Sequence, residues 1–428
     1  MAGPGIRYHF MATELAKHFS VTVGFFEPSY LPNDDFKRTY DVKSIDAYQF
    51  ESGFKDVDTV IALWLSDSMI NYCNEHEIFT VFDMYAPVPV ESLASHIYNT
   101  MPGDKSFDFE FVRSNRMYRV FFENGDLFLC SNRRQLDYWN GFIFGSGIVK
   151  PSLYHKRPFF DRMVYAPMGI DSRAELKNRS SVMRGVLPGV TDHDKIMVWT
   201  GGVWGWYDGA VLMHAMKLLA TSRPDIKLVF FGTEHPNPSV PKMKESYNTR
   251  KLAEELGLID KTVFFKDGWV AYEDRIDYLL EADIAINTHK PSMEAEFSHR
   301  TRVLDHILAK LPTICTTGDY LSDDVIARQG LGIAVEPNNE QALAKAITEI
   351  FIDKNYSSYK NNIANVRDSF DWAITLQPLV QALLEDLPRL NRIPSIEPDL
   401  GRRRLIRKFK HLVPLPIKKV IIRAFYGK

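Results

Sequence analysis

Two arginines stand close together in the segment EAEFSHRTRVLDHILAKLPTI, which covers residues 294–314. Ser298 is a residue type that caps helices, and the apolar residues after it recur at helical spacing, so a helix is predicted to begin at Ser298. Arg300 and Arg302 then fall in the first turn, where the helix dipole disfavours cations. A bound phosphate would reverse that preference, because it would gain free backbone amides and both guanidinium groups. The pattern indicates an anion site that includes Ser298, Arg300, Thr301 and Arg302, and the alternative is that both arginines simply pair with Glu294, Glu296 or Asp305.

Three other stretches join the end of an apolar run to a glycine or a polar loop. They read TGGVWGWYDGA, FFGTEHPNP and FFKDGWVAYED. Glycine at such a turn lets backbone amides approach a ligand closely, although a tight turn alone would also explain it. The candidate binding residues in these loops are Gly201, Gly202, Gly232, Thr233, Trp269 and Val270.

The first half of the chain offers two more candidate stretches. In GPGIR, Gly3, Gly5 and Arg7 could form a glycine loop that closes over a phosphate held by another domain. In VFDMYAPVPVE, Asp83 ends a buried strand and could orient a hydroxyl nucleophile or accept its proton. The alternative for Asp83 is that it caps the following turn.

The elements that must position these residues are short apolar strands alternating with helical segments. Ten runs predict strands, from VTVGFF near residue 21 to GIAVEP near residue 332. Continuous apolar strands separated by helices are typical of parallel sheets covered on both faces, and two such series predict two doubly wound α/β domains. We predict domains at residues 1–165 and 166–370, a helix crossing back at 371–400, and a separate tail at 401–428. No strand precedes the GPGIR stretch, so either the first strand is missing or, as we favour, Met1 is an internal methionine of a longer product.

Composition limits the class of protein. The 428 residues are 45% hydrophobic and 25% charged, which is ordinary for a globular chain. The three cysteines and the histidines show no zinc or disulfide spacing, and two Asp-x-Asp triplets precede strands where turns are normal, so no metal site is predicted. No apolar run is long enough to span a membrane and no leader is apparent, which favours a cytoplasmic location.

Residues 401–428 differ from the rest in charge. They contain ten Lys or Arg and no acidic residue, which leaves 42 basic and 54 acidic residues in the remainder. Apolar residues lie on one face of each half of this tail, which is typical of a basic amphipathic helix on an anionic membrane surface. Nucleic acid is not predicted as a partner, because the body of the protein is acidic. The alternative is a tail that packs on its own domain.

An ordered set of motifs resembles one enzyme family. GPGIRYHFMATELA, FDMYAPVPVE, DLFLCSNRRQLDYWNGF, MVYAPMGID, VWTGGVWGWYD, VFFGTEHPNP, DGWVAYEDRIDYLLEADIAINTH and FSHRTRVLDHILAKLPTICTTGD follow one another between residue 1 and about 340. Together they resemble retaining GT-B glycosyltransferases of the family-four type, close to bacterial cell-surface polysaccharide enzymes. The resemblance implies two Rossmann-like domains that face each other across a cleft, with a basic amphipathic tail after them.

The resemblance also implies roles for particular residues. The second domain would hold a nucleotide-diphosphate sugar and the first would hold a saccharide or lipid-linked acceptor, with no cofactor and no metal. Asp305 would bind the ribose, where most of the family has Glu, and Glu294 would bind the sugar. The family's usual catalytic histidine is absent, and Asp83 stands in its place. Because the usual Arg and Lys after the double glycine are also absent, Arg300 and Arg302, with Arg7, would stabilise the leaving diphosphate.

The expected function is metal-independent and retaining sugar transfer in cell-surface polysaccharide or glycolipid synthesis, peripheral on the inner face of the cell membrane. Two alternatives remain at this stage. The chain could be another GT-B enzyme, such as a sugar-nucleotide epimerase or a sugar-phosphate synthase, or a protein that binds a sugar nucleotide without turnover.

Overall fold

The computed structural model describes eleven stretches of the chain. These are residues 3–26, 38–47, 49–99, 105, 107–149, 159–174, 176–177, 179–233, 243–268, 270–385 and 387–390. Residues 1–390 belong to one compact unit, and the predicted tail at residues 401–428 lies outside the described residues.

The first lobe comprises the elements between Gly3 and Tyr165. Its helices are α1 (Gly3–Leu15), α2 (Glu51–Phe54), α3 (Asp67–Glu75), α4 (Val88–Asn99), α5 (Asp108–Asn124) and α6 (Arg133–Gly145). Its strands are β1 (Thr22–Phe25), β2 (Asp41–Ser44), β3 (Thr59–Ala62), β4 (Phe79–Asp83), β5 (Leu127–Cys130) and β6 (Met163–Tyr165). A parallel four-stranded sheet has the order β3-β4-β5-β6, and β1 and β2 pair in parallel separately. Val81, Phe82 and all of β5 are fully buried because helices cover both faces of this sheet.

The second lobe comprises the elements between Lys195 and Phe370. Its strands are β7 (Lys195–Thr200), β8 (Ile226–Phe231), β9 (Val263–Phe265), β10 (Ile284–Asn287), β11 (Thr313–Thr316) and β12 (Gly332–Val335). Its helices are α7 (Gly209–Leu219), α8 (Lys244–Glu255), α9 (Arg275–Glu281), α10 (Met293–Phe297), α11 (Arg302–Leu308), α12 (Glu340–Glu349) and α13 (Asp353–Val366). A π-helical segment (Leu321–Ala327) precedes β12.

The strand order of the second sheet fixes where a ligand would bind. All six strands are parallel, in the order β12-β11-β10-β7-β8-β9. Strands β8 and β9 are added in sequence order on one side of β7, and β10, β11 and β12 are added in sequence order on its other side. The direction therefore reverses between β7 and β10, and open α/β sheets bind ligands beyond the carboxyl ends of the strands at this reversal.

The last helices, α14 (Trp372–Thr375) and α15 (Gln377–Leu384), return to the first lobe. The ring of Trp372 stacks on Phe10 of α1 with 5.1 Å between centroids. One apolar cluster contains residues of α1, of both β4 and β5, of α11 and of these last helices. The described part of the chain therefore has a shared core that connects the two lobes.

The predicted α/β architecture with two parallel-sheet lobes is confirmed, and each of the ten apolar runs contains a strand. Strands β2 and β6 were not anticipated, because one reads DVKS and the other has three residues. The predicted glycine loop at GPGIR is wrong, since α1 already begins at Gly3.

The helix at the two arginines also begins later than predicted. Helix α11 starts at Arg302, and its N-cap residue Thr301 makes no side-chain capping hydrogen bond. The hydroxyl of Ser298 donates to the carbonyl of Ala295 at 2.9 Å and so ends α10. Ser298 is therefore not an N-cap, because the preceding short helix, itself capped by Ser292, takes up its hydroxyl.

Candidate active site between the two lobes

A cavity of about 1050 Å³ lies between the lobes, at the carboxyl ends of the strands. From the first lobe it is lined by α1, by the loop after β4 and by α4. From the second lobe it is lined by the loops after β7 and β8 and by the segment that joins α10 to α11. The predicted site residues on this lining are Gly3, Gly201, Gly202, Gly232, Val270, Glu294, Ser298, Arg300, Thr301, Arg302 and Asp305.

The turns after β7 and β8 lie side by side. Thr200 pairs with Phe231 in register, so both strands end at the same level of the sheet. Gly201 and Gly232 then adopt φ of 78° and 67°, in the left-handed region that favours glycine. A Cβ on Gly232 would lie 3.6 Å from the Cα of Gly201. The two glycine turns therefore place backbone without side chains along one side of the cavity.

Arg300 and Glu294 form a buried ion pair at the cavity. The distances are 2.8 Å from Nη1 to Oε1 and 2.6 Å from Nη2 to Oε2, and both side chains are about 95% buried. Burial opposes the charge of Arg300, but Glu294 and the Tyr207 ring, whose centroid lies 5.1 Å away, raise its pKa overall. The alternative interpretation, in which Arg300 pairs with an acidic neighbour, is therefore the correct one for this arginine.

Arg302 is in a different situation. Its guanidinium lies over the rings of Tyr207 and Trp199, at 4.1 and 4.8 Å from the centroids, and its Nη2 donates to the carbonyl of Gly202 at 2.7 Å. Nη1 is buried and has no hydrogen-bond partner, and among the described side chains no carboxylate forms an ion pair with Arg302. Burial lowers the pKa of Arg302, and the charge of Arg300 lowers it further. The Nη1 group of Arg302 is therefore available to donate a hydrogen bond to a bound anion.

Asp305 has a partner that the sequence did not suggest. Arg275 of α9 donates to both of its oxygens, at 3.2 Å from Nε and 2.9 Å from Nη2. The same guanidinium lies 3.5 Å from the centroid of the Tyr272 ring. The Asp305 side chain is 27% exposed, so the carboxylate is fixed in direction but still accessible from the cavity.

The structure places Arg7 and Asp83 away from the cavity. Arg7 donates to both oxygens of Asp83, at 2.6 and 2.7 Å, and both side chains are fully buried. The guanidinium also stacks on Tyr85, 4.6 Å from the ring centroid. The predicted roles, a phosphate clamp for Arg7 and a carboxylate facing the cleft for Asp83, are therefore wrong, because the two charges neutralise each other in the interior.

Two further predicted residues, Gly5 and Thr233, are also off the cavity lining. Gly5 is exposed on α1. Trp269 lies outside the described residues.

His299 lines the cavity beside the two arginines, although no sequence pattern indicated a role for it. Both of its ring nitrogens are buried and have no hydrogen-bond partner. Burial, with a smaller contribution from the charge of Arg7, lowers its pKa to about 3. A neutral imidazole offers one donor and one acceptor, which suits hydroxyl groups better than a phosphate.

Glu91 was also missed, and it lines the cavity from the first turn of α4. Burial raises its pKa, the negative charge of Glu294 raises it further, and Arg300 lowers it. No sequence signal connects Glu91 with Glu294, because they come from different lobes. The same holds for Arg275 and Tyr207, which reach the site only through the fold.

Two other features are absent from the described stretches. Within the described stretches, no three or more His, Cys, Asp or Glu side chains are grouped so that they could hold a metal ion. In the same stretches, no helix has the length and apolar character needed to cross a membrane.

Comparison with known proteins finds one family model that matches part of the chain. Residues 207–368 match the model of glycosyl transferases group 1. The sequence has no match among curated proteins.

Solved structures share the fold at low sequence identity. Sucrose-phosphate synthase from Thermosynechococcus elongatus is 13% identical, with a TM-score of 0.63 over 90% of this chain and 94% of that chain. HepE from Anabaena, solved in complex with UDP-glucose, is 13% identical, with a TM-score of 0.63 over 90% of this chain and 97% of that chain. WaaG, a glycosyltransferase involved in lipopolysaccharide biosynthesis, is 15% identical, with a TM-score of 0.56 over 89% and 96% of the two chains.

The matched residues contain β8 to β12 and the cavity residues from Tyr207 to Asp305. Residues 207–368 therefore form a glycosyl transferases group 1 domain, and the chain is a glycosyltransferase with the GT-B fold.

Proposed function

We propose that this glycosyltransferase moves a sugar from a nucleotide-diphosphate sugar to an acceptor hydroxyl within the cavity between the lobes. The observation that carries the proposal is Arg302, a cation on the cavity lining with an unpartnered buried donor. A buried donor without a partner is unfavourable by about 1–3 kcal/mol, and a phosphate oxygen would satisfy it. HepE, which has the same fold, is solved with UDP-glucose, and this supports the same class of donor here.

The second lobe provides a position for each part of such a donor. The diphosphate would lie against Arg302 and the glycine turns at Gly201 and Gly232. Asp305, held by Arg275, would accept hydrogen bonds from the ribose hydroxyls with its exposed edge. Glu294, held by Arg300, would accept hydrogen bonds from sugar hydroxyls.

The reaction would break the bond between the anomeric carbon and the diphosphate oxygen and form a bond to the acceptor oxygen. Negative charge develops on the leaving diphosphate, and prearranged cations stabilise it most in a site that excludes water. Arg302 would supply that charge, since Arg300 is neutralised by Glu294, and we therefore propose a transfer that needs no metal. Retention of the anomeric configuration follows if the acceptor attacks from the face that the diphosphate leaves.

The wider role we propose is the synthesis of cell-surface polysaccharide or glycolipid on the inner face of the cell membrane. Its support is the basic amphipathic sequence of residues 401–428, which would hold the enzyme on an anionic surface close to a lipid-linked acceptor. Deletion of 401–428 should abolish sedimentation with phosphatidylglycerol vesicles at low salt. Unchanged sedimentation would contradict the membrane role without affecting the proposed chemistry.

The chemistry is tested by donor binding and turnover. We expect UDP-glucose, UDP-N-acetylglucosamine or GDP-mannose to raise the melting temperature and to release its nucleoside diphosphate, with EDTA present. Arg302→Met should weaken nucleoside-diphosphate binding about 10- to 100-fold, since a hydrogen bond to a charged group contributes about 1.5–3 kcal/mol. Arg328→Met is the matched control, because Arg328 is 75% exposed and pairs with Asp324 of its own segment.

Three outcomes would count against parts of this proposal. Binding that is equal in the Arg302 and Arg328 variants would remove Arg302 from the site. Complete loss of turnover in EDTA would contradict the metal-free reaction. Binding without release of the diphosphate, with a range of saccharide acceptors present, would favour a sugar-nucleotide binder instead.

A further inference from the structure

Glu91 stands apart from the rest of the first-lobe lining. The described first-lobe residues on the cavity are otherwise apolar, aromatic or small and uncharged: Gly3, Pro4, Ile6, Leu63, Tyr85, Ala86, Pro87, Val88, Ser92, Ser95 and Phe107. Glu91 is thus the one charged side chain that this part of the first lobe presents to the cavity. A single partly buried charge on an apolar wall is unfavourable unless it has a partner or a function.

The position of Glu91 is set by contacts between the lobes. The loop after β4 turns at Pro87 into α4, and Glu91 lies in the first turn of that helix. Helix α4 packs on α10 of the second lobe, which carries Glu294. Glu91 therefore lines the same cavity as the pair that we assign to the donor sugar, but from the other lobe.

Four ionisable groups face Glu91 from the surrounding elements. They are Tyr85 from its own loop, Tyr118 from α5, and Glu294 and Arg300 from the second lobe. Arg300 is already engaged by both oxygens of Glu294, and in the described part of the chain no ion pair is found for Glu91. Among the described residues, Glu91 therefore has no ion-pair partner that would explain it as a structural charge.

The donor does not explain Glu91 either. A carboxylate cannot bind the diphosphate directly, because both groups are negative, and the cations on the described part of the cavity lining are all on the second lobe. The residues that we assign to the donor are all on the second lobe, so the acceptor would approach the sugar from the side of the first lobe. A hydroxyl group is the natural partner for a carboxylate at that position.

We propose that Glu91 is the acceptor-binding carboxylate of this enzyme, which receives a hydrogen bond from the attacking hydroxyl of a neutral saccharide. The inference rests on the proposed function, since it assigns the acceptor side of the same cavity. In the transfer, the acceptor oxygen forms a bond to the anomeric carbon while the bond from that carbon to the diphosphate oxygen breaks. The electron pair of the broken bond stays on the diphosphate, and the hydroxyl proton passes to Glu91.

The same placement predicts the class of acceptor. Glu91 is negative when it acts as a hydrogen-bond acceptor, and the described first-lobe lining offers no cation to balance a second negative charge. A phosphorylated or carboxylated sugar at the attacking position would be repelled. The acceptor residue is therefore an uncharged sugar, whose apolar face suits the aromatic and aliphatic wall around Glu91.

The experiment compares Glu91→Gln with the wild type in the full chain. The donors are UDP-glucose, UDP-N-acetylglucosamine and GDP-mannose, and the acceptors are water, methyl β-D-glucopyranoside and glucuronic acid. Release of the nucleoside diphosphate and its dissociation constant are both measured across pH. Glu75→Gln is the matched control, because Glu75 is an exposed helical glutamate away from the cavity.

We expect Glu91→Gln to bind UDP or GDP like the wild type and to lose about 100-fold or more in turnover, the usual range for a positioned proton acceptor. Wild-type turnover should fall as the pH is lowered through the raised pKa of Glu91, and the variant should lack this limb. Glu91→Asp, which keeps the charge, should recover part of the activity. Methyl β-D-glucopyranoside should accelerate release in the wild type, and glucuronic acid should not.

Specific results would overturn the inference. Turnover of Glu91→Gln at the wild-type rate with an unchanged pH profile would exclude Glu91 from the acceptor site, as would equal use of glucuronic acid. If Glu91→Gln does not fold, an Asp variant with less activity than the Glu75 control and normal UDP binding would support the assignment, and full activity would refute it. Failure of the wild-type protein to bind any of the donors would instead refute the proposed function itself.

Discussion

Arg7 in the first lobe and Arg302 in the second both contact aromatic rings, yet their charges are used in opposite ways. Arg7 is fully buried and is matched by both oxygens of Asp83. Arg302 is partly buried, holds a backbone carbonyl, and keeps one buried nitrogen without a partner on the lining of the cavity. The comparison shows that an arginine near a glycine-rich stretch is available to a phosphate only when no carboxylate of the fold reaches it first.

The largest expected effect is a difference in stability between variants of two Arg–Asp ion pairs. The Arg7–Asp83 pair is fully buried, and the Arg275–Asp305 pair is more accessible. Asp83→Asn leaves a guanidinium uncompensated in the interior and should lower the free energy of unfolding by about 3–5 kcal/mol. Asp305→Asn acts on a pair whose side chains are 15% and 27% exposed, so about 1 kcal/mol is expected. Urea titration of both variants measures the difference.

An exposed pair provides the control for that comparison. Asp225 pairs with Arg223 at 2.8 Å and is 43% exposed, so Asp225→Asn should change the free energy of unfolding least of the three. Equal losses for the Asp83 and Asp305 variants would mean that burial does not distinguish the two pairs.

A smaller effect is expected at His299, which is near Arg7 and also lines the cavity. Its two unpartnered ring nitrogens should make the folded protein less stable than an apolar ring of similar size would. His299→Phe should raise the free energy of unfolding by about 1–3 kcal/mol and weaken binding of the sugar nucleotide. Thermal unfolding with and without UDP-glucose measures both changes, and a loss of stability in the absence of ligand would contradict the prediction.

The smallest expected effect is the pH dependence of stability at Glu91. Burial and the charge of Glu294 raise the pKa of Glu91, so the folded protein keeps this proton at a pH where the unfolded chain has released it. The free energy of unfolding therefore falls as the pH rises through that window. Glu91→Gln cannot ionise, so its stability should fall less than that of the wild type between acidic and neutral pH. Parallel pH profiles in urea titration would show that the Glu91 carboxylate is not perturbed.

Local sequence was sufficient for most of the sheet structure. Each of the ten apolar runs contains a strand, because a strand covered on both faces needs an uninterrupted set of apolar residues. Strand β2, with the sequence DVKS, lacks that signal and was missed. Gly201, Gly202 and Gly232 line the cavity. Local sequence was also sufficient to place them, because glycine directly after a parallel strand indicates a turn at the carboxyl edge of the sheet.

Local sequence did not predict the structure correctly where two helices could both use the same side chain. Ser298 could cap α11 or end α10, and both options are compatible with the residues around it. The structure has the second, in which the hydroxyl bonds to Ala295. Arg7 and Asp83 are 76 positions apart, so their pairing depends on how α1 packs on β4 rather than on any local pattern.

The sequence by itself determined the two parallel sheets, the glycine turns at their carboxyl edge and the two arginines beside them, because these depend on periodicity and on residues near each other in the chain. Only the tertiary structure decided which charges neutralise each other and which remain on the cavity. Charge pairing depends on distances of a few ångströms between side chains from different elements, and these distances are fixed when the lobes pack. Asp83 was thereby removed from the candidate site, and Glu91, His299 and Arg275 were added to it.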